Sequence, residues 1–219
     1  MSASQKSLVL NAGLRLVEYN AIQVKYLEYE IPKEEIDAYI FTSQNGVHSF
    51  LDNYKRVFGA KMADTSRSQK AFCVGEKTKF LLEKNNFEVI QHASNAEELG
   101  AFIGKEYAHL KFLWFSGNQR RNELPKSLLS HSIFFKEITA YETSLNYKSI
   151  PTTFDGILFF SPSGVRSYSK YNDIKGAAFC IGETTAQEVK KYTDNYFIAN
   201  KPTIENVLVQ AIKRLKKND

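Results

Sequence analysis

The chain has 219 residues and a formal net charge of +5, with 43% hydrophobic and 24% charged residues. This length suits one large domain or two small ones, and the composition is ordinary for a soluble globular protein. No apolar run approaches the roughly 18–20 residues that cross a bilayer, and the N-terminus does not resemble a signal peptide. We therefore expect a cytoplasmic protein without membrane contact, and its positive charge favours an anionic partner.

The first half of the chain alternates short apolar runs with helical patterns. An alternating segment at residues 21–32 precedes an apolar run at 37–43, which predicts a buried parallel strand. That strand ends in a polar turn from Ser43 to Gly46, and helical spacing follows. A second apolar run at 71–75 predicts another strand, whose Gly-Glu-Lys-Thr turn leads into a helix. Strand, turn and helix in this order indicate βαβ units with a parallel sheet.

The middle of the chain predicts one more such unit and a ribbon. Residues 111–115 predict a strand that ends in a turn at 116–118, and residues 123–131 predict a helix. The following segment at 132–144 is long and alternating, as is the earlier segment at 21–32. These two alternating segments are expected to pair as a two-stranded ribbon that joins two domains.

The pattern of the first half then recurs. The stretch "FTSQNGVHSF" at 41–50 returns as "FFSPSGVRSY" at 159–168, and "AFCVG" at 71–75 returns as "AFCIG" at 178–182. Two matching blocks in the same order indicate an internal duplication. The predicted fold class is therefore α/β, with two flavodoxin-like parallel-sheet domains joined by a two-stranded β ladder. The predicted boundaries are a discontinuous domain at 1–23 plus 150–219, an inserted domain at 36–135, and a connecting ladder at 24–35 and 136–149.

The cysteines and the basic clusters do not predict a metal or nucleotide site. Cys73 and Cys180 each lie in an apolar run, so we expect buried free thiols rather than a disulfide. The chain has no metal-ligand spacing, no glycine-rich phosphate loop and no hydrolase signature. The basic tail at 213–219 is interpreted as a solvated helix end, with salt-dependent nucleic-acid binding as a less favoured alternative. Arg120 and Arg121 are interpreted as solvated charges or as contacts to an anion.

The predicted turns are the candidate binding site, because ligands of open parallel sheets bind beyond the carboxyl ends of the strands. Each turn is also a helix N-terminus, whose free N–H groups bind carboxylates or phosphates. Two domains that face each other across one cleft would therefore hold a large polyanion. The local alternatives are helix N-caps for Ser43 and Ser161 and tight turns for Gly75 and Gly182. The candidate binding residues are Ser43, Gln44, Asn45, Gly46, Gly75, Glu76, Thr78, Ser116, Gly117, Asn118, Ser161, Pro162, Ser163, Gly164, Gly182, Glu183, Thr184 and Thr185.

An ordered set of motifs resembles the uroporphyrinogen-III synthase family. The set covers about residues 36–215 and consists of "IFTSQNGVHSF", "FCVGEKT", "LWFSGNQRRNEL", "EITAYET", "ILFFSPSGVRSY", "FCIGETTAQEV" and "PTIENVLVQAI". The resemblance implies a cofactor-independent lyase of haem biosynthesis. Its substrate would be hydroxymethylbilane, a linear tetrapyrrole with eight carboxylates. The enzyme would close the ring with inversion of the last pyrrole, through a spiro intermediate and with loss of water.

The resemblance also implies roles for individual residues. Tyr141 would assist departure of the substrate hydroxyl, and the alternative for Tyr141 is an aromatic side chain packed on the ribbon. The substrate carboxylates would be held mostly through main-chain N–H groups at Ser43, Asn45, Ser161, Ser163, Gly182 and Thr185. We expect a monomer that binds neither nucleic acid nor metal. The competing hypothesis is a non-catalytic two-domain clamp for an anionic small molecule.

The chain departs from the family at its N-terminus. Family members open with a strand before the first helix, whereas residues 2–13 here are interpreted as that helix. Residues 14–22 are then expected to form the second strand. The missing first strand would leave one sheet incomplete near its centre. Either the true start lies upstream, or the protein compensates in another way.

Overall fold

The computed structural model describes residues 1–59 and 68–216. The chain forms two compact units: residues 1–23 with 144–219 make unit 1, and residues 24–143 make unit 2. The last three residues of the predicted basic tail lie outside the described residues.

Unit 2 is built on a mixed sheet with the strand order β1-β6-β5-β2-β3-β4. Strands β2 to β6 are parallel to one another, and the apolar runs predicted three of them, β2, β3 and β5. Strand β1 is antiparallel to β6, since Leu27 N donates to Ala140 O and Asn146 N donates to Ala21 O. The unit boundaries fall within β1 and within β6. The strands are β1 Ile22–Tyr26, β2 Ala38–Phe41, β3 Gln69–Val74, β4 Phe87–Ala93, β5 Phe112–Gly117 and β6 Phe135–Leu145.

Helices cover both faces of this sheet. On β5, Phe112 and Trp114 pack into one buried apolar cluster, whereas Leu113 and Phe115 pack into a second cluster. Successive side chains of a strand point to opposite faces, so a strand that is apolar at every position has to be buried on both sides. The helices of unit 2 are α2 Gln44–Phe58, α3 Glu76–Lys84, α4 Ala96–Glu106 and α5 Glu123–Ser130.

Unit 1 contains a smaller, entirely parallel sheet with the order β7-β8-β9. The series β7-α6-β8-α7-β9-α8 repeats the series β2-α2-β3-α3-β4-α4 of unit 2. The last turn of α8 carries Lys213 and Arg214, which agrees with the interpretation of the tail as a basic helix end. The elements of unit 1 are α1 Ala3–Asn11, β7 Gly156–Phe159, α6 Pro162–Ser169, β8 Ala177–Cys180, α7 Glu183–Val189, β9 Tyr196–Ile198 and α8 Ile204–Leu215.

The prediction of a strand at 14–22 was wrong for most of that segment. Residues 3–11 form the expected first helix, but residues 14–21 belong to no sheet, and strand β1 begins only at Ile22. The alternation of the sequence suits a strand, yet a strand also needs a neighbour that accepts and donates backbone hydrogen bonds. Among the described residues of unit 1, no strand lies beside residues 14–20 to supply them, whereas Ala21, next to β1, accepts a hydrogen bond from Asn146 N.

Both cysteines are buried and free, as predicted. Burial raises the pKa of Cys73 to about 12 and that of Cys180 to about 11, which makes both thiols poor nucleophiles. Within 1–59 and 68–216, no helix is long and apolar enough to cross a membrane. The same residues bring together no group of three or more histidine, cysteine, aspartate or glutamate side chains that could hold a metal ion.

Glu188 gives unit 1 a pH-dependent contribution to stability. Its carboxylate lies 2.9 Å from Lys191 Nζ and 3.3 Å from Arg166 Nη1, and the hydrogen bond from Lys191 lowers its pKa below the ordinary value. The stabilisation is therefore complete above the usual carboxyl pKa and is lost as the pH falls through the lowered pKa. We expect Glu188→Gln to lower the free energy of unfolding at pH 7 by at most about 1 kcal/mol, because partly exposed ion pairs contribute little.

Urea unfolding of both proteins across the acid range checks this prediction. The difference in free energy of unfolding between Glu188→Gln and wild type should become smaller as the pH decreases. A difference in unfolding free energy that stays constant from neutral to acid pH would show that the charge of the Glu188 carboxylate does not stabilise unit 1.

Candidate functional site in unit 2

Ser43 begins helix α2 at the carboxyl end of β2. Its backbone is extended and its Oγ accepts a hydrogen bond from Gly46 N at 3.2 Å, so the side chain is a helix N-cap. Gly46 lies against β5, where a Cβ atom would approach Phe115 O to 2.9 Å. The N-cap alternative for Ser43 is thus confirmed, and the glycine is required by close packing.

The hydroxyl group of Tyr141 lies 2.9 Å from Ser43 Oγ, within hydrogen-bond distance. Ser43 Oγ also accepts from Gly46 N. Ser43 is half-buried and its neighbour Gln44 is exposed. The two hydroxyl groups therefore form a polar pair where the chain leaves the sheet.

A β-bulge places Tyr141 opposite Gly117. Ser116 pairs with Thr139, whereas the next residue, Gly117, pairs with Tyr141, so one residue of β6 is skipped. The tyrosine ring then packs directly on Gly117, where a Cβ atom would lie 2.5 Å from two ring carbons. Bulges of this kind redirect side chains and are common near active sites.

Asn118 hydrogen-bonds the end of β5 to β6 at Tyr141 and at Thr143. Its backbone N donates to Tyr141 O at 3.1 Å, and its Oδ1 accepts from Thr143 N at 2.9 Å. The side chain thereby continues the ladder past the end of β5. Asn118 and Gly117 together fix where the Tyr141 ring can lie.

Ser116 and Arg120 are engaged with Glu137 on β6. Ser116 is 1% exposed and its Oγ donates to Glu137 Oε1 at 2.6 Å. Arg120 donates to both carboxylate oxygens, at 2.8 and 3.0 Å, and its guanidinium lies over the ring of Trp114. Both side chains therefore already have partners within the protein.

The two predicted glycine turns differ in their backbone. Gly75 has a φ of 84°, in the left-handed region, so the tight-turn interpretation is confirmed there. Gly182 has a φ of −171°, which is extended backbone open to any residue, so the same interpretation is wrong for Gly182. Neither helix that follows has a side-chain N-cap. The first-turn threonines Thr78 and Thr185 are buried.

In unit 1, Ser161 repeats the N-cap of Ser43. Its Oγ accepts from Gly164 N at 3.1 Å and lies 2.9 Å from Ser163 Oγ. Pro162 occupies the first turn of α6, where its missing N–H costs nothing. The hydroxyl partner of the capping serine is therefore a serine in unit 1 and a tyrosine in unit 2.

The remaining candidates lie in the helix starts that follow these residues. Asn45 is half-buried, Glu183 and Thr184 are exposed, and Glu76 is exposed and pairs with His92 at 2.9 Å. The structure thus brings Ser43, Tyr141, Gly117 and Asn118 together. Sequence reasoning missed the contacts that hold this group, because Ser43 and Tyr141 are 98 residues apart.

Comparison with known proteins places the chain in a family. A family model described as "HEM4: Uroporphyrinogen-III synthase HemD" matches residues 5–208. No curated protein sequence matches the chain. Among solved structures, uroporphyrinogen-III synthetase from Helicobacter pylori matches with a TM-score of 0.68 and 25% identity, over 92% of this chain and 96% of that one.

A second solved structure agrees at the level of the fold. A mutant uroporphyrinogen III synthase from the extremely thermophilic bacterium Thermus thermophilus matches with a TM-score of 0.51 and 11% identity, over 99% of this chain and 95% of that one. The family model spans nearly the whole sequence and includes both capping serines and Tyr141. The chain therefore belongs to the uroporphyrinogen-III synthase family, hydro-lyases of tetrapyrrole biosynthesis, as its motifs predicted.

Proposed function

We propose that the chain closes hydroxymethylbilane to uroporphyrinogen III, with inversion of the last pyrrole, and that Tyr141 assists the loss of water. Family membership implies the substrate. The observation that carries the role of Tyr141 is its hydroxyl group, 2.9 Å from Ser43 Oγ where a parallel strand meets a helix N-terminus. In parallel sheets this end of the strands is the usual place for chemistry.

The chemistry begins when the terminal hydroxyl of the substrate leaves. Electrons from the pyrrole nitrogen expel this group as the exocyclic C–O bond breaks. The Tyr141 hydroxyl donates a hydrogen bond to the departing oxygen. The phenol oxygen keeps its hydrogen bond with Ser43 Oγ. The substituted α-carbon of the last pyrrole then attacks the azafulvene to give the spiro intermediate. The bond from that carbon to the methylene bridge of the third pyrrole breaks and leaves a second azafulvene on the third pyrrole. The unsubstituted α-carbon of the last pyrrole attacks this azafulvene, which closes the inverted ring, and then loses its proton. The net change is loss of one water.

The carboxylates of the substrate supply its binding energy. Helix N-termini carry free N–H groups and a partial positive charge, so they bind carboxylates without a lysine. Helix α3 begins at Glu76 with no side-chain cap, and α2 begins at Gln44 with only Gly46 N bound by Ser43. These starts and their counterparts in unit 1 are the proposed carboxylate-binding positions. A net charge of +5 favours such a substrate.

The finer domain assignment is part of the same proposal. We assign 1–23 with 150–219 and 36–135 to two flavodoxin-like domains, and 24–35 with 136–149 to the ladder between them. Its support is that β1 pairs with β6 and that the two units divide within these strands. We also propose that the protein is a monomer and that it binds no nucleic acid.

The product isomer tests the proposed function. Purified protein is incubated with hydroxymethylbilane, the products are oxidised, and isomers I and III are separated by chromatography. Excess isomer III is the expected result, because spontaneous closure gives isomer I. Isomer I alone, formed at the spontaneous rate, would leave only the non-catalytic clamp.

Ser43→Ala should reduce turnover more than its effect on stability explains. The variant loses the N-cap of α2, which costs about 1 kcal/mol of unfolding free energy, and it also removes the partner of Tyr141. Asn95→Ala is the matched control, because Asn95 caps α4 in the same unit through Glu98 N at 2.9 Å. We expect similar losses of stability in the two variants and a roughly tenfold or greater loss of kcat only in Ser43→Ala. Equal kcat values would remove Ser43 from the mechanism.

A further inference from the structure

Ser49 is a buried polar side chain that the proposed mechanism does not use. It lies on helix α2, is 0% exposed, and its Oγ donates a hydrogen bond to Ala140 O on β6. A serine hydroxyl within a helix commonly bonds a carbonyl of the preceding turn, whereas Ser49 bonds a strand residue 91 positions away in the sequence. A buried hydroxyl without a partner is unfavourable, so this bond determines where the Ser49 side chain lies.

The acceptor of this bond is the residue that the β-bulge skips. The register between the two strands pairs Thr139 and Tyr141 with neighbouring residues of β5 and passes over Ala140. The Ala140 carbonyl oxygen accepts two hydrogen bonds, one from Leu27 N at 2.9 Å and one from Ser49 Oγ. A carbonyl oxygen has two lone pairs, so it accommodates both donors. The residue directly before Tyr141 is therefore bonded on the β1 side of the sheet and to helix α2.

Helix α2 thus holds two successive residues of β6. Its N-cap, Ser43, contacts the side chain of Tyr141 at 2.9 Å, and Ser49 bonds the backbone of Ala140. A helix rises about 1.5 Å per residue, so the two serines lie about 9 Å apart along one stiff axis. The bond from Ser49 consequently fixes the bulge relative to the helix that begins after Ser43.

The duplicated half contains a matched residue that has no tyrosine to position. Ser167 is the counterpart of Ser49 in "FFSPSGVRSY", and it is also fully buried. Its Oγ donates to Asn146 O at 2.7 Å, so it makes the same kind of bond from α6. The N-cap of α6, Ser161, has a serine as its hydroxyl partner. A contribution to stability is therefore common to both buried serines, whereas an effect on Tyr141 is expected of Ser49 alone.

We propose that Ser49 is a positioning residue for Tyr141. Its bond to Ala140 O holds the bulge in the form that brings the Tyr141 hydroxyl to Ser43. The effect on turnover rests on the proposed function, in which that hydroxyl assists the loss of water. Because its side chain is fully buried, Ser49 does not reach the substrate itself. Without the bond, Ala140 O still accepts from Leu27 N, so β6 stays in the sheet while the bulge gains freedom.

Turnover of Ser49→Ala, with Ser167→Ala as the matched control, tests the proposal. Each change removes a buried hydrogen bond, so both unfolding midpoints should fall by about 2–4 °C. We expect kcat to fall about tenfold in Ser49→Ala, because small displacements of a catalytic group are costly, and KM to change by less than about twofold. Ser167→Ala should keep the kcat of wild type. If Ser49→Ala does not fold, Ser49→Cys takes its place, since cysteine fills a similar space with only a weak donor.

A double-variant cycle separates positioning from a general loss of stability. In the Tyr141→Phe background the hydroxyl is already absent, so Ser49→Ala should lower kcat by less than about twofold there. The proposal is overturned by an equal fall in kcat in both backgrounds, by an equal fall in Ser167→Ala, or by wild-type kcat in Ser49→Ala.

A measurement without substrate distinguishes failure of this inference from failure of the proposed function. A fluorinated tyrosine is incorporated in place of Tyr141 alone, and its fluorine NMR signal is recorded. We expect the signal to shift or broaden in Ser49→Ala, as in Ser43→Ala, and to stay as in wild type in Ser167→Ala. An unchanged signal in Ser49→Ala overturns the proposal even where isomer III forms. If wild type forms no isomer III, the proposed function fails, and the fluorine signal then decides whether Ser49 positions Tyr141.

Discussion

Replacing Tyr141 with phenylalanine is expected to slow formation of uroporphyrinogen III by about 10²-fold or more while the protein remains folded. The change removes the hydroxyl that pairs with Ser43 and leaves the ring on Gly117. Positioned proton donors contribute about 10²–10⁴-fold to such reactions. Stability should change by only about 1 kcal/mol, the net contribution of one hydrogen bond.

The measurement is the initial rate together with the ratio of isomers III and I. The fraction of isomer I should rise in Tyr141→Phe, because spontaneous closure then competes with the slowed enzyme. Tyr54→Phe is the matched control, since Tyr54 packs on Phe50 and Phe58 in the same unit. Wild-type turnover in Tyr141→Phe would remove Tyr141 from the mechanism and restore its interpretation as a packed aromatic.

Gly117→Ala is expected to reduce turnover by displacing the Tyr141 ring. A Cβ atom at this position would lie 2.5 Å from two ring carbons of Tyr141 and 2.8 Å from its hydroxyl oxygen. The ring has to move, and its contact with Ser43 is then lost. We expect a fall in kcat of about 10²-fold and a loss of about 1–3 kcal/mol of stability from overpacking.

Two comparisons separate this effect from a general loss of stability. Gly182→Ala should be nearly neutral in unfolding experiments, because its backbone is extended and its surroundings are open. The double variant Gly117→Ala with Tyr141→Phe should be no slower than the slower single variant, since both changes act on one group. Additive losses in kcat would show that Gly117 acts independently of Tyr141.

The strands of the sheets could be predicted because their chemistry is local. The apolar runs at 37–43 and 111–115 became β2 and β5, which are buried on both faces. A short run of apolar residues without alternation is typical of a strand that is buried on both faces of a parallel sheet. The turns that follow were also predictable, since serine and glycine favour these backbone states.

The failures have a common physical cause, which is that pairing depends on distant residues. Residues 14–21 alternate as a strand does, but they join a sheet only when a neighbouring strand is present. The contact between Ser43 and Tyr141 depends on one skipped residue beside Gly117. Nothing in the local sequence at 135–145 marks that bulge. The difference in backbone conformation between Gly75 and Gly182 could not be predicted either, because the two turns have nearly the same sequence.

The two capping serines, Ser43 and Ser161, occupy equivalent positions in the duplicated halves but have different hydroxyl partners. Each copy inherited the same strand-to-helix corner, yet a neighbouring serine faces Ser161 whereas a phenol from another strand faces Ser43. In unit 1, Tyr19 instead lies 2.7 Å from Ser167 Oγ, where it fastens the chain. A phenol therefore lies beside the capping serine at the Ser43 corner, whereas a serine takes that place at the Ser161 corner. On the proposed role of Tyr141, turnover of this protein is expected to tolerate substitution of Ser161 better than substitution of Ser43.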